Sequence, residues 1–233
     1  MMIEVSSAVA TDPPETSTRS ALEEHWNAAY AAGATKASWT QAYPTPSLSA
    51  LAAASPDLRA AIIDVGGGSS PLAGALLRAG HTDVTVLDLS AMALNIARRQ
   101  LGDRATRVQW LVADVLAWRP PRQYVVWHDR AVLHFLTNPA DRVRYAATLR
   151  DAVTTGGCAV IAAFAPDGPS RCSGLPVQRY NADEILELLG DQFTAVLTAT
   201  ELHRTPSGQQ QPFTWLVARR TAVTTGYREP RAA

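Results

Sequence analysis

Residues 62–70, Ile-Ile-Asp-Val-Gly-Gly-Gly-Ser-Ser, join a short apolar run to an acid and a turn of three glycines. Glycine adopts backbone conformations that other residues avoid, and without a Cβ it lets a ligand approach the main chain. Twenty residues past Gly68, a second apolar run over residues 84–87 ends in Asp88. A carboxylate at that spacing can accept hydrogen bonds from ribose hydroxyls. The pattern therefore predicts a crevice that binds a nucleoside.

Strand and helix patterns alternate along the rest of the chain, which favours an α/β fold. Apolar runs predict strands over residues 61–65, 84–87, 108–112, 124–127, 158–164, 193–202 and 213–219. Helices are predicted over residues 50–61 (broken by Pro56), 72–79, 90–101, 140–153 and 182–189. The turn sequence at residues 205–208 makes the last two strands antiparallel. We expect a seven-stranded, doubly wound, Rossmann-like sheet that is mostly parallel and closed by a C-terminal antiparallel hairpin.

Four motifs occur in the order found in one known family. They are Asp64 with Gly66, Gly67 and Gly68 (D-x-G-x-G), the acid Asp88, the run Ala113-Asp114-Val115, and the glycine pair at 156–157. Together they resemble the class I S-adenosylmethionine-dependent methyltransferases, and the resemblance covers roughly residues 61–219. The closing hairpin also favours that family over dehydrogenase-type Rossmann domains. The resemblance implies S-adenosylmethionine as cofactor and S-adenosylhomocysteine as product.

The resemblance implies a cofactor role for each motif. Asp64 would accept from the amino group of the methionine moiety, Asp88 would hold the ribose, and Asp114 would take the adenine amino group. Ser70 replaces a third glycine of many relatives and could donate to the ligand's carboxylate from a helix start. The alternative is that these acids only cap helices or face solvent. The residues assigned to the cofactor are Asp64, Gly66, Gly67, Gly68, Ser70, Asp88, Leu89, Asp114, Val115 and His128.

A second resemblance lies near the N-terminus. Trp26, Tyr30 and the Ser38-Trp39 pair resemble the W-x-x-x-Y…SW lead-in of a subgroup that includes bacterial thiopurine-methyltransferase-like proteins and eukaryotic lysine methyltransferases. In those relatives the aromatic side chains fold over the cofactor, whose sulfonium is attracted to ring faces. We expect a disordered lead-in over residues 1–20, a helical lid over 21–55, the methyltransferase domain over 56–221 and a flexible tail over 222–233.

Two segments offer candidates for the chemistry. Asp129, Arg130 and His134 follow strand four, where ligands of open α/β sheets bind. Asp129 could be an acceptor or a base, and on a helix His134 would share a face with Arg130. Alternatively, Asp129 and Arg130 form a structural pair and His134 packs beneath the lid.

The second segment is the loop at residues 164–177, which is rich in proline and glycine and follows strand five. Long structured loops in compact domains are often functional. Arg171 could bind an anionic substrate in a bidentate manner. Cys172 could present a thiol to the substrate or act in catalysis, although it could equally be a small, half-buried packing residue.

Composition narrows the classes of partner. The 21 basic residues balance the 21 acidic ones without a basic stripe, so we expect no nucleic-acid partner. No run approaches the ~20 apolar residues of a membrane span, and the N-terminus does not have the pattern of a secretory signal. The isolated histidines predict no metal site. Two cysteines make no disulfide framework and favour a cytoplasmic protein.

Three functions stay open at this point. The first is transfer of a methyl group to sulfur, nitrogen or oxygen of a small molecule by in-line displacement. The second is protein lysine methylation, although lysine-specific relatives usually have an acid-lysine-glycine run where this chain has Asp129-Arg130-Ala131. The third is a module that binds the cofactor without catalysis. The sequence leaves open whether the protein is a monomer or a homodimer.

Overall fold

The computed structural model describes residues 15–33 and 37–222, with side chains from Arg19 onward. The helices are α1 (Glu15–Ala31), α2 (Thr45–Ala54), α3 (Leu72–Arg78), α4 (Ala91–Leu101), α5 (Pro139–Ala152) and α6 (Ala182–Leu189). The strands are β1 (Ile62–Val65), β2 (Val84–Asp88), β3 (Val108–Val112), β4 (Tyr124–Arg130), β5 (Val153–Phe164), β6 (Arg171–Cys172), β7 (Leu175–Pro176), β8 (Phe193–Arg204) and β9 (Gln210–Arg220). Two short 3₁₀ helices span Gly102–Arg107 and Leu133–Phe135.

Seven strands form one sheet in the order β3-β2-β1-β4-β5-β9-β8. The strands β1 to β5 are mutually parallel, whereas β9 is antiparallel to β5, and β8 is antiparallel to β9. The predicted fold class, including the closing hairpin, is confirmed. Strand order reverses between β1 and β4, and open α/β sheets bind ligands in the crevice beyond the carboxyl ends at such a point.

The sheet is covered on both faces, which explains the continuous apolar runs of its central strands. On one face, Ile62, Val126 and Val160 pack with side chains of α2 and α3. On the other face, Trp127 and Ile161 pack with side chains of α5 and α6. Because neighbouring residues alternate between faces, Asp64 and its register partner on β4, His128, lie on the same face of the sheet.

Two predicted boundaries near the site need correction. The helix predicted over residues 50–61 is α2, Thr45–Ala54, which ends where Ser55 takes a left-handed conformation just before Pro56. Strand β4 continues past Trp127 to Arg130, since its ladder with β5 runs on to the pair Arg130–Ala162.

The consequence is that Arg130 and His134 do not share a helix face. Arg130 ends β4, Ala131 turns the chain with a φ of 77°, and His134 lies in a 3₁₀ helix. The glycine- and proline-rich loop after β5 likewise holds structure, because β6 and β7 pair as a small hairpin. Its two turn residues, Ser173 and Gly174, both have positive φ, as in a type I′ turn.

The predicted boundaries at the two ends of the chain can be compared with the structure only in part. Helix α1 begins at Glu15, inside the range predicted as a disordered lead-in, while residues 1–14 lie outside the described part. The predicted tail lies outside it as well, from residue 223 onward. Within the described ranges, no helix combines the length and apolar character needed to cross a membrane. The same ranges hold no group of three or more His, Cys, Asp or Glu side chains arranged for a metal ion.

Candidate active site

The glycine turn after β1 is too crowded for any larger residue. Gly66 and Gly68 have φ of 64° and 54°, in the left-handed region. A Cβ on Gly67 would lie 2.6 Å from a carboxylate oxygen of Asp64, and one on Gly68 would lie 2.1 Å from the Tyr30 hydroxyl. The turn therefore exposes bare backbone between an acid and a tyrosine.

Asp88 at the end of β2 is tied directly to this turn. Its carboxylate accepts from the Gly68 N–H at 2.8 Å and from the Ser90 N–H at 2.7 Å. Burial raises the pKa of Asp88 to about 6, and the two backbone donors counteract part of that rise. The acid is thus held rigidly beside the turn at the wall of a cavity.

Asp114, the acid after β3, has partners on both carboxylate oxygens. Oδ1 accepts from the Leu116 N–H at 2.9 Å, and Oδ2 lies 3.1 Å from the Nε of Arg19 on α1. A ligand amino group at this acid would have to share Oδ2 with Arg19. The N-terminal helix therefore reaches the adenine end of the predicted crevice.

An aromatic cluster from the predicted lid segment and the turn after β4 lines the same cavity. Trp26 packs edge-on against Trp39 and Phe135 with ring centroids 5.6 and 5.0 Å apart, and Tyr30 packs against Trp39 at 5.9 Å. Burial raises the pKa of Tyr30 most, and the nearby negative charge of Asp88 raises it further. The Tyr30 hydroxyl therefore stays protonated.

Helix α1 is fixed to the sheet domain by a polar contact beside this cluster. Asn27 accepts from the Ser90 hydroxyl at 2.7 Å and from the Met92 N–H at 3.3 Å. Ser90 in turn caps α4 by accepting from the Ala93 N–H. The lid therefore sits on the start of the helix that follows Asp88.

His128 forms a buried pair with Asp64. The Nδ1 of His128 lies 2.7 Å from Oδ1 of Asp64, and the two side chains are 3% and 4% exposed. The other ring nitrogen, Nε2, is buried and has no hydrogen-bond partner among the described residues. Both residues line the cavity.

Asp129 faces the opposite side of the sheet and is fully buried. Its carboxylate accepts from the Val132 and Leu133 N–H groups at 2.8 and 3.1 Å and from the Tyr145 hydroxyl at 2.5 Å. It is absent from the cavity wall. These hydrogen bonds stabilise the turn that follows β4. Because Asp129 is buried away from the cavity, a substrate in the cavity does not contact it.

Arg130 belongs to a polar cluster that the sequence did not indicate. Its guanidinium lies 3.4 Å from Glu201 on β8 and packs over the Phe213 ring at 4.5 Å. Glu201 also accepts from the Trp215 indole at 2.8 Å and from the Gln41 side chain at 3.0 Å. Burial lowers the pKa of Arg130, and Glu201 counteracts that effect.

The cluster holds the lid segment against the hairpin. Arg130 donates to the carbonyl of Trp39 at 3.3 Å, and the His203 Nε2 lies 2.7 Å from the carbonyl of Ser38. No sequence signal could have identified Glu201, because it lies on an exposed edge strand far along the chain from its partners.

The other predicted catalytic and substrate residues lie in different settings. His134 is fully buried, and burial lowers its pKa to about 3, so its ring is neutral and packs between Phe135 and Phe164. Burial raises the pKa of Cys172 to about 11, so this cavity-lining residue is a thiol rather than a thiolate. Arg171 is exposed, donates to the Gly174 carbonyl, and does not line the cavity.

One cavity of about 890 Å³ joins most of these groups. Of the predicted residues it is lined by Trp26, Tyr30, Trp39, Asp64, Gly66, Gly67, Ser70, Asp88, Leu89, Asp114, Val115, His128, Arg130 and Cys172. Gly68 lies just behind the wall, where its N–H meets Asp88. Lining residues that were not predicted include Gln41, Ser47, Phe135 and Leu136. The Ser70 hydroxyl accepts from the Leu72 N–H at 3.1 Å, while the N-cap position of α3 is Pro71.

The sequence and the fold each match known proteins. Residues 62–157 match the family model described as a methyltransferase domain. The matched segment runs from β1 into β5. The glycine turn, Asp88 and Asp114 all lie within the matched segment, which indicates an enzyme. None of the curated proteins matches the chain.

Solved structures of low sequence identity share the fold. A methyltransferase from Anabaena variabilis ATCC 29413, described as S-adenosylmethionine-dependent, aligns with a TM-score of 0.68 at 16% identity, over 92% of this chain and 100% of its own. The Burkholderia thailandensis 1,6-didemethyltoxoflavin-N1-methyltransferase, with bound 1,6-didemethyltoxoflavin and S-adenosylhomocysteine, aligns with a TM-score of 0.67 at 21% identity, over 93% and 94%. The glycopeptide N-methyltransferase MtfA, complexed with S-adenosylmethionine, aligns with a TM-score of 0.59 at 16% identity, over 77% and 95%. The class I methyltransferase fold is thus shared along nearly the whole described chain.

Proposed function

We propose that the protein transfers a methyl group from S-adenosylmethionine to a sulfur, nitrogen or oxygen atom of a small molecule. The observation that supports this proposal is a single cavity that runs from the glycine turn and Asp88 to Arg130 and Cys172. Its volume of about 890 Å³ is near the upper end for small-molecule sites, which leaves room for two ligands side by side.

The residues at one end of the cavity fit the cofactor. Asp88 is in place to accept from ribose hydroxyls, and the bare backbone of Gly66 and Gly67 lets the ligand's main part approach. Asp114 and Val115 flank the adenine end. The rings of Trp26 and Trp39 suit a sulfonium, since a positive charge is attracted to an aromatic face. When bound, this cofactor supplies an electrophilic methyl group.

The other end of the cavity fits a small acceptor better than a protein segment. It is closed over by the aromatic lid, and the lid segment is held to β8 by Glu201 and His203. Arg130, its charge partly balanced by Glu201, and the Cys172 thiol provide polar contacts without a strong net charge. The structural neighbour that methylates 1,6-didemethyltoxoflavin supports a small-molecule acceptor for this fold.

The test is transfer of a labelled methyl group by the purified full-length chain. Acceptors would be thiols, phenols, amines and pyridines, with lysine-containing proteins as a separate arm. Transfer to a small molecule supports the proposal, and transfer to protein alone supports lysine methylation instead. Binding of S-adenosylhomocysteine without transfer to any acceptor would point to a non-catalytic module.

A pair of glycine variants tests the cofactor end independently of the acceptor. In Gly68→Ala the new methyl group would meet the Tyr30 hydroxyl, so we expect a large loss of S-adenosylhomocysteine affinity. Gly102→Ala is the matched control, because Gly102 has a similar φ of 57° with nothing within 4 Å of its Cβ position. Equal affinities for both variants would contradict the proposed cofactor site.

A further inference from the structure

Two side chains at the acceptor end of the cavity use only part of their hydrogen-bonding capacity. Arg130 and Gln41 both line the cavity, and both are half-buried. The side chain of Arg130 is 10% exposed. Neither residue is among those predicted to hold the cofactor. A small molecule in the cavity can therefore contact both.

The guanidinium of Arg130 has five N–H groups and can only donate. Nη1 donates to the carbonyl of Trp39 at 3.3 Å, and Nη2 donates to Glu201 at 3.4 Å. Nε is enclosed, so a ligand cannot reach it. The second N–H of each terminal nitrogen has no partner among the described residues. Arg130 therefore keeps donors for an oxygen atom of a ligand.

The amide of Gln41 has both a donor and an acceptor to spare. Its Nε2 donates one N–H to Oε1 of Glu201 at 3.0 Å, and this contact identifies the amide nitrogen because a carboxylate only accepts. Within the described ranges, the second N–H and the amide oxygen of Gln41 have no partner. A ligand that donates and accepts along one edge would use both.

Glu201 holds these two groups side by side, although it does not line the cavity itself. Its Oε1 accepts from both Gln41 and Arg130, so the amide lies next to the guanidinium. Its Oε2 accepts from the indole of Trp215 at 2.8 Å, and Trp215 is buried in the sheet. The carboxylate is thus fixed, and with it the spacing of the groups that it holds.

We infer that Arg130 and Gln41 bind an uncharged primary carboxamide or lactam group of the methyl acceptor, and that Glu201 positions both side chains; this rests on the proposed function. The carbonyl oxygen of the acceptor accepts from Arg130 and from the spare N–H of Gln41. The amide N–H of the acceptor donates to the Gln41 oxygen. Primary carboxamides and lactams suit this site because their C=O and N–H lie on the same edge.

Other substituents fit the same groups less well. A carboxylate cannot donate to the Gln41 oxygen, and it would bring a second negative charge beside Glu201. An ammonium group would be repelled by Arg130. A hydrocarbon substituent would exclude water and leave the spare N–H groups of Arg130 without a partner, which costs free energy. A neutral amide avoids all three penalties.

The sheet order separates this site from the methyl donor. The guanidinium of Arg130 extends from β4 over the Phe213 ring of β9 to Glu201 on β8. The glycine turn follows β1, which lies on the other side of β4. The amide and the nucleophilic atom are therefore expected at opposite ends of the acceptor.

The test uses three matched series of acceptors with the full-length protein and labelled S-adenosylmethionine. The series are thiophenols, phenols and anilines that carry a carboxamide, a carboxylate or a methyl group para to the nucleophile. Gln41→Leu removes the donor and the acceptor at similar size. It should lower kcat/KM for the carboxamide roughly tenfold relative to the methyl compound, mainly through KM. Differences in intrinsic reactivity cancel, because the same compounds are compared in both proteins.

A second variant, Glu201→Gln, tests the positioning role. It keeps an oxygen that can accept from Trp215 or Arg130, but it removes the negative charge that repels a ligand carboxylate. The ratio of kcat/KM for the carboxamide to kcat/KM for the carboxylate should fall roughly tenfold. A purely structural role of Glu201 would lower both values equally and leave this ratio unchanged.

The matched control is Gln209→Leu, which replaces an exposed glutamine between β8 and β9, outside the cavity. It should leave acceptor preference unchanged. Affinity for S-adenosylhomocysteine should stay within about threefold in every variant. If Gln41→Leu does not fold, Gln41→Ala is measured instead. An unchanged preference in the Gln41 variant, or an equal loss for all three substituents, would overturn the amide site.

A binding experiment distinguishes failure of this site from failure of the proposed function. Calorimetry of para-toluamide and para-toluate with the S-adenosylhomocysteine complex reports on the site without turnover. Methyl transfer that Gln41→Leu does not affect leaves the function standing and overturns the amide site. If no acceptor is methylated, the proposed function is overturned. Binding of para-toluamide that is lost in Gln41→Leu would then keep the amide site, and absence of such binding would overturn both.

Discussion

Replacement of Asp129 by alanine should destabilise the fold by about 3 kcal/mol at pH 7. Two backbone N–H groups and the Tyr145 hydroxyl lose a buried acceptor, and each such loss costs roughly 2 kcal/mol, or about 6 kcal/mol together. Against this, burial raises the pKa of Asp129 to about 6 from 3.8, so the charged form carries a penalty of about 3 kcal/mol that alanine removes. The net loss in the free energy of unfolding is therefore about 3 kcal/mol.

The pH dependence of this loss has a definite sign. Because the pKa of Asp129 is higher in the folded state, the folded protein binds more protons than the unfolded chain between pH 3.8 and about 6. The stability that Asp129 contributes is therefore fullest below pH 3.8 and declines as pH rises through 6. The cost of Asp129→Ala should be about 1 kcal/mol larger at pH 5 than at pH 7.

Urea unfolding of wild type and variant at both pH values measures these quantities. Tyr145→Phe is the companion variant, since it removes one of the three donors and leaves the Trp127 indole without its acceptor. It should cost less than Asp129→Ala. A loss below 1 kcal/mol for Asp129→Ala, combined with a turnover reduced a hundredfold, would refute this reasoning and restore Asp129 as a catalytic base.

Three further predictions concern the cavity. Asp88→Ala should weaken S-adenosylhomocysteine binding by about 1.5–3 kcal/mol through lost charge-assisted hydrogen bonds. Because the pKa of Asp88 is about 6 and only its ionised form accepts from both ribose hydroxyls, wild-type affinity should rise from pH 5 to pH 7, and calorimetry should find it flat in Asp88→Asn. Trp39→Ala should weaken cofactor binding while urea unfolding of the sheet changes little; a change in stability alone would contradict the lid assignment. Cys172→Ala should keep most of the turnover, because a thiol with a pKa of about 11 is no base at neutral pH, and a thousandfold loss would contradict that.

The sheet could be predicted because its signals are local. Apolar runs, the glycine turn and the closing turn sequence identify each of the seven strands of the sheet, whereas their order in the sheet comes from the structure. Strand β4 was predicted too short because His128, Asp129 and Arg130 are polar. All three are covered by tertiary partners, and a polar run that is satisfied in this way gives no strand signal in the sequence.

Side chains on one strand alternate between faces, so the residues predicted together after β4 lie on two sides of the sheet. Asp129 and His128 are adjacent in sequence, yet Asp129 points towards Tyr145 on α5 while His128 pairs with Asp64. A one-residue shift therefore separates a buried anchor from a residue on the cavity wall. A sequence reading that treats both as one catalytic segment cannot make this distinction without the register between β1 and β4.

The acceptor end is harder to predict than the cofactor end for a physical reason. The cofactor contacts come from turns at the carboxyl ends of adjacent strands, so one family pattern fixes their spacing. The acceptor end is instead built where Gln41, Arg130, Cys172 and Glu201 converge, from the lid, the central sheet, a small hairpin and the sheet edge. Each of these segments can change without disturbing the glycine turn, so the same donor site can serve different acceptors. Under the proposed function, variants of Gln41 or Glu201 should therefore alter acceptor preference before they alter cofactor affinity.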